Sequence, residues 1–183
     1  LILLAGAGLA VLEASAREVR GSSSQGDFVI EVYPDKAPKT VANFLQYVRS
    51  KHYDGTVLHR VIDNFMIQGG GYDTRYVEKA TRTPVPHEGR QAAKAGLRNT
   101  VGTVAMARTN DPNSAAAQFF INVKDNDFLN AANSRDGNGY AVFGKVISGM
   151  DVVDRIRTVK TGNRGPFQDV PLEPVLIIKA AVQ

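Results

Sequence analysis

The chain has 183 residues, 43% of them hydrophobic, enough to bury a sizeable core as one domain. Its formal charge is +4, with Lys and Arg interleaved among acids, a pattern that calls for neither a nucleic-acid nor a membrane surface. Cysteine is absent, which excludes disulfides, thiol catalysis and Cys-based metal sites together.

Leu1 to Leu12 is apolar with small residues, shorter than the roughly 20 residues a membrane-spanning helix needs, so no stable membrane insertion is expected. Glu13-Ala14-Ser15-Ala16 follows, an A-x-A pattern of the kind that precedes signal-peptide cleavage. Residues 1–16 therefore read as the remnant of a signal peptide, which points to a periplasmic or secreted protein. The competing reading is an apolar N-terminal helix packed on a cytoplasmic domain. Residues 17–26, with Ser22-Ser23-Ser24, read as a linker, and the folded domain is expected over 27–183.

Phe28 to Tyr33 is the first predicted strand, ended by Pro34. Pro38 suits the first turn of a helix, and Val41, Phe44, Leu45 and Val48 follow on one face. Asn43, Gln46, Tyr47 and Arg49 are expected on the opposite face. The stretch from Arg60 to Gly71 then runs through Val61, Ile62, Phe65 and Ile67 into Gly69-Gly70-Gly71, a buried strand ending in a bend. Residues 72–99 form a long connection, of a length that is usually functional or locally ordered. Gly102 to Ala107 and Gln118 to Val123 read as strands separated by a turn-rich segment. Tyr140 to Ile147 is a further strand, Met150 to Thr158 a short helix and Pro174 to Val182 the last strand. Many short strands with turn signals between them, and two good helices, predict a mainly β fold, a barrel or a sandwich.

Several residues could carry chemistry. Arg60 is a permanently charged fork of donors that could polarise an amide or pair with an acid such as Asp63. Phe65, Met66, Phe120 and Leu129 could be plain core or the walls of an apolar pocket, and Gln68 and Gln118 edge polars or ligand contacts. His52, His59 and His87 are too scattered for a zinc site, so no metal is expected. The three glycines are not followed by Lys-Ser/Thr and a helix, which argues against a phosphate-binding loop.

Four spaced motifs resemble the cyclophilin family of peptidyl-prolyl cis-trans isomerases: His59-Arg60 with Asp63 to Gly70, Met106-Ala107-Arg108, Gln118 to Ile121, and Val142 to Val146. The resemblance covers about Phe28 to Val182. It implies a closed eight-stranded antiparallel β-barrel capped by two α-helices, no cofactor, and a monomer acting on proline-containing segments of unfolded or partly folded polypeptides. By resemblance Arg60, Phe65 and Gln68 are the catalytic group, with Arg60 aimed at the prolyl bond. Met66, Phe120 and Leu129 line the proline pocket, Gln118 orients the groove, and Ala107-Arg108 offers backbone to an added strand.

The chain departs from the pattern at three places. Arg108 stands where the family more often has Asn, so only a backbone contact carries over there. Phe128 stands where many eukaryotic members have Trp, and Tyr140 where those have His. Both resemble the bacterial, exported branch, and weak binding of the family ligand cyclosporin is expected. Two rival readings remain at the level of sequence: a peptide-binding chaperone module without catalysis, and a hydrolase using His59, for which no partner is identifiable.

Overall fold

The computed structural model describes residues 17–183; the signal-peptide reading of residues 1–16 lies outside the described residues. The chain runs β1 (Glu18–Ser23), β2 (Gly26–Val32), α1 (Pro38–Arg49), β3 (Thr56–Val57), β4 (Arg60–Ile62), β5 (Met66–Gly69), α2 (Gly89–Lys94), β6 (Thr103–Met106) and β7 (Phe119–Asn122). A 3-10 turn (Asp127–Leu129), β8 (Val142–Ser148), α3 (Met150–Arg157), β9 (Thr161–Arg164), β10 (Phe167–Pro171) and β11 (Leu176–Val182) complete it.

Residues 17–26 are not a linker. Glu18–Ser23 pairs antiparallel with both β2 and β11, so these residues are part of the main sheet. The strand escapes a sequence reading because only Val19 of its inward positions is a sizeable apolar residue, the others being Gly21 and Ser23. A Cβ on Gly21 would lie 2.5 Å from the ring of Phe28, so the aromatic ring of the next strand fills the space that an apolar side chain of β1 would otherwise occupy.

The main sheet has nine antiparallel strands in the order β3-β11-β1-β2-β8-β6-β7-β5-β4. Its end strands, β3 and β4, are separated only by Leu58 and His59, so the two ends of the ladder meet in one segment of chain. Counted as one strand bent at Leu58-His59, they restore the expected eight. The hydrogen-bond ladder does not cross the bend, so the sheet curls into a barrel that is not fully closed, unlike the closed barrel expected. β9 and β10 form a separate two-stranded ribbon that the sequence did not predict.

Inside the curl, Phe44 of α1 meets Tyr53, Phe119 and Phe143 with ring centroids 5.5, 5.8 and 4.9 Å away. Val41, Phe44, Leu45 and Val48 are buried as the helical periodicity requires. Tyr47, predicted on the outer face, is also buried, and its hydroxyl accepts the Arg82 N–H at 2.8 Å. The apolar stripe is thus wider than four positions, because residues 72–99 fold back over the helix and cover the tyrosine. That connection also carries α2, a third α-helix beyond the two expected.

The N-terminus of α1 is capped from a distance. Ala37, at the capping position, has no side-chain acceptor, and Pro38 follows it. The buried Glu88 carboxylate instead accepts the Thr40 N–H at 2.6 Å and the Thr40 hydroxyl at 2.7 Å. A charge at a helix N-terminus that satisfies an otherwise unpaired N–H is favoured twice, by hydrogen bonding and by the helix dipole. Glu88→Ala is expected to lower unfolding stability by about 2 kcal/mol, as loss of a charge-assisted bond implies. Glu88→Gln, which keeps an acceptor oxygen, is expected to lose less. Urea titrations followed by circular dichroism check this, and equal midpoints for all three proteins would contradict the capping role.

Candidate active site

In β4 to β7 the pairing register lines up residues from consecutive strands. Arg60 lies opposite Gln68, Gln68 opposite Phe120, and Phe120 opposite Ala105. Because side chains alternate faces along a strand, this row shares one face of the sheet. The alternate residues, among them Val61, Ile67, Val104, Met106, Phe119 and Ile121, face the barrel core. The outward row is not solvated as an ordinary barrel exterior would be: Met66, Ala105, Phe120, Leu129 and Val142 form a second buried apolar cluster. Strands apolar on both faces explain the imperfect alternation of the sequence from Val61 to Ile67.

The stretch from Arg60 to Gly71 is a hairpin rather than one strand. It turns at Asp63-Asn64, with Asn64 at φ 59° and the Phe65 N–H returned to the Ile62 carbonyl at 3.1 Å. The glycines beyond it serve close packing: a Cβ on Gly69 would sit 2.6 Å from Leu58, and one on Gly70 2.8 Å from Tyr53.

Arg60 is half-buried, and its Nη1 donates to Gln68 Oε1 at 3.3 Å. Gln68 Nε2 in turn donates to Gln118 Oε1 at 3.0 Å, and the guanidinium lies 5.9 Å from the Phe65 ring centroid. Asp63 is not its partner. That carboxylate binds Arg157 at 2.6 Å, which holds its pKa below the usual value. Arg60 therefore remains a cation held by neutral amides beside an apolar pocket.

The pocket has a volume of about 150 Å³ and brings together nine of the eleven predicted residues: Arg60, Phe65, Met66, Gln68, Ala107, Arg108, Phe120, Leu129 and Tyr140. Gln118 lies one hollow further along, joined through Gln68. Phe128 stands outside, 59% exposed, and stacks on Phe65 at 5.7 Å.

Arg108 does more than lend its backbone. Its side chain is only 4% exposed and reaches Asp136 at 2.6 Å. Its Nε and Nη2 donate to the Gly139 carbonyl at 3.1 and 2.7 Å, and the guanidinium lies 4.6 Å from the Tyr140 ring centroid. One side chain thus ties the end of β6 to the loop that presents Tyr140 to the pocket. The Ala107 N–H is engaged by the Gln118 carbonyl at 3.0 Å, so this segment offers an added strand its carbonyls.

Sequence reasoning missed the residue that positions Phe65. Asn126 Nδ2 donates to the Phe65 carbonyl at 2.9 Å and to Asn122 Oδ1 at 2.8 Å. Asn122 Nδ2 continues to Asn99 and Thr103, and Asn99 reaches Asn130, all buried. The Leu129 N–H also returns to the Asn126 carbonyl at 2.9 Å, so the same asparagine locates two pocket walls. The repeat Asn122, Asn126, Asn130 was visible as spacing, but only the folded loop shows that these side chains converge. Among the described residues no three acidic or histidine side chains form a metal-binding group, and no helix is long and apolar enough to cross a membrane.

The buried Nδ1 of His59 has no hydrogen-bond partner among the described residues, and its ring packs edge-on to Tyr72 at 4.7 Å. Burial, reinforced by the charge of Arg60, lowers its pKa to about 4.

Residues 18–182 match the family described as cyclophilin type peptidyl-prolyl cis-trans isomerase/CLD. A peptidyl-prolyl cis-trans isomerase of Streptomyces antibioticus is 57% identical over 162 residues, covering 88% of this chain and 95% of its own. Peptidyl-prolyl cis-trans isomerase B of Escherichia coli is 54% identical over 161 residues, covering 87% and 96%. A cyclophilin type isomerase of Cryptosporidium parvum, crystallised in the presence of the dipeptide Ala-Pro, has the same fold with a TM-score of 0.71. Its identity is 23%, and the match covers 91% of this chain and 99% of that one.

The lowered pKa of His59 makes stability depend on pH. The unfolded chain takes up a proton at the ordinary value of 6.5 and the folded one only near 4, so stability is full above about pH 6.5 and is lost as pH falls through that window. His59→Phe is expected to shrink the fall in melting temperature between about pH 7 and about pH 4.5, because no proton is then taken up at this position. Thermal melts of both proteins at the two pH values check it; an undiminished fall in the variant would mean that His59 is not held neutral by burial.

Proposed function

The chain belongs to the cyclophilin-type peptidyl-prolyl cis-trans isomerases and catalyses rotation about X-Pro peptide bonds, and on that premise we propose that Arg60 supplies the rate by polarising the prolyl amide above the apolar pocket. The observation that carries this reading is the row Arg60, Gln68, Phe120, which sets a held cation one strand from Gln68 and two from a buried aromatic floor.

The barrier to rotation about a peptide bond is about 18–20 kcal/mol, because the nitrogen shares its lone pair with the carbonyl. The two isomers of an X-Pro bond are nearly balanced, so only the rate requires help. At the midpoint of rotation conjugation is lost, the nitrogen becomes pyramidal and its lone pair localises. A guanidinium donating toward that nitrogen stabilises the twisted amide more than either planar form, the condition for catalysis. Gln68, bonded on one side to Arg60 and on the other to Gln118, fixes the direction of the fork. Met66, Phe120 and Leu129 take the proline ring and remove water from the amide, which favours the less charge-separated twisted state. No nucleophile or proton transfer enters the scheme.

The pocket opens on the outside of the barrel, which supports proline-containing segments of unfolded or partly folded polypeptides as substrates. Arg108 and Tyr140 close one side, with the Ala107 carbonyl available to the bound chain.

Arg60→Ala is expected to lower kcat and kcat/KM together at least about a hundredfold, roughly 3 kcal/mol, with KM little changed. Arg60→Lys should recover only part, because a point charge on a flexible stem lacks the planar fork. Phe120→Ala should act substantially through KM, since it removes pocket floor. Exchange NMR on a peptide with one X-Pro bond measures all three, and a folded Arg60→Ala protein with near-normal kcat would refute the mechanism.

Phe128 bears on cyclosporin. It occupies the pocket rim without an N–H, and a missing ligand hydrogen bond costs about 0.5–1.5 kcal/mol. Weak binding is therefore expected, strengthened by Phe128→Trp. Calorimetric titration of both proteins tests this, and tight binding to the unaltered chain would count against it.

A further inference from the structure

A groove of about 930 Å³, larger than the proline pocket, lies between α1 and the segment from Arg82 to Val85. Lys39, Arg49 and Arg82 line it, all exposed, and no carboxylate does. None of the three makes an ion pair or a side-chain hydrogen bond among the described residues, whereas Arg17, Arg20, Arg108, Arg155 and Arg157 each have an aspartate partner. The walls are nevertheless held in place. Tyr47 takes the Arg82 N–H at 2.8 Å, the Val85 N–H donates to the Ala115 carbonyl at 2.9 Å, and Asn43 Nδ2 donates to the Ala116 carbonyl at 2.7 Å.

The groove is continuous with the site. A hollow of about 270 Å³ shares Gln68, Ala107 and Arg108 with the proline pocket and shares Pro84 with the groove. The bond from Asn43 to Ala116 joins a residue of the groove to one of the hollow. The hollow contains Glu78, which repels an acidic side chain, whereas the charged residues lining the groove past Pro84 are all basic. A polypeptide seated in the pocket and continuing in extended form through the hollow meets three unpaired cations.

We propose that this groove is an electrostatic subsite for acidic residues of the same polypeptide whose proline occupies the pocket, a proposal that rests on the isomerase reading above. It makes the enzyme favour prolines that lie a fixed distance along the chain from a cluster of Asp or Glu. An exposed ion pair contributes about a twofold gain, so three give roughly eightfold in KM. The gain fades at high ionic strength, where exposed charges are screened. Catalysis in the pocket is untouched, so kcat stays constant.

The test uses exchange NMR on peptides with one Ala-Pro bond and a run of three residues, all Glu or all Ser, moved stepwise away from the proline on either side. An extended chain advances roughly 3.3 Å per residue, so one spacing should stand out. At that spacing the Glu peptide is expected to show a KM roughly eightfold below the Ser peptide, with equal kcat, and the difference should vanish near 0.5 M salt. The triple variant Lys39→Ala, Arg49→Ala, Arg82→Ala should lose the difference while handling the Ser peptide normally. The charge-reversed triple variant to Glu should prefer a Lys run instead. Equal KM for Glu and Ser peptides at every spacing, or a preference that survives the alanine variant, overturns the subsite. Failure of the unaltered protein to isomerise the Ser peptide would instead overturn the isomerase reading on which it rests.

Discussion

The register of β4, β5, β7 and β6 is the constraint on which the rest of this protein depends. A shift of one residue anywhere in that run would carry Arg60, Gln68 or Phe120 to the interior and turn Val61, Ile67 or Phe119 outward. Both faces are apolar, so hydrophobicity alone specifies the register weakly. Shape does more. Gly69 and Gly70 pass against Leu58 and Tyr53 at distances no side chain would tolerate, and these contacts fit only one alignment. The same register builds the floor of the candidate site, because the outward row needs no loop to assemble it.

Loops add the walls, and each is held by polar groups rather than by apolar burial. Arg108 binds the turn before Tyr140, Asn126 binds the hairpin tip at Phe65, and Glu88 binds the start of α1. These bonds are worth more than the exposed pairs Arg17–Asp35 and Arg20–Asp27, whose Coulomb energy water screens. Asp136 illustrates the point: the Asn138 N–H, then the Arg108 guanidinium, hold its pKa well below the usual carboxylate range even though the group is partly exposed. A carboxylate organised by backbone donors can orient an arginine where a freely solvated one could not.

The proposed role of Arg60 requires an unneutralised charge, and the fold keeps competing groups away from it. The nearest acid in sequence, Asp63, is drawn off by Arg157. The adjacent histidine is buried between aromatic rings and stays neutral at ordinary pH, so it adds no second cation beside Arg60. What remains near the guanidinium is two glutamine side chains and a phenylalanine ring, a setting in which its charge is neither neutralised by a counter-ion nor fully hydrated.

The local sequence carried two of the three α-helices and most strands, since the spacing of Val41, Phe44, Leu45 and Val48 and the β-branched runs are properties of neighbouring residues. Its resemblance to a known family also named the pocket residues, and the structure brings nine of the eleven into one concavity. Features that depend on distant partners were not legible. β1 looked like a linker because Phe28, a residue of another strand, fills the space at Gly21. Tyr47 looked solvent-facing because its cover comes from Arg82, 35 residues on. Arg108 looked like a departure without a role because its acceptors, Gly139 and Asp136, lie across a loop. Periodicity along a chain records which face a side chain occupies, whereas the identity of what meets that face is decided only when the sheet curls over its core.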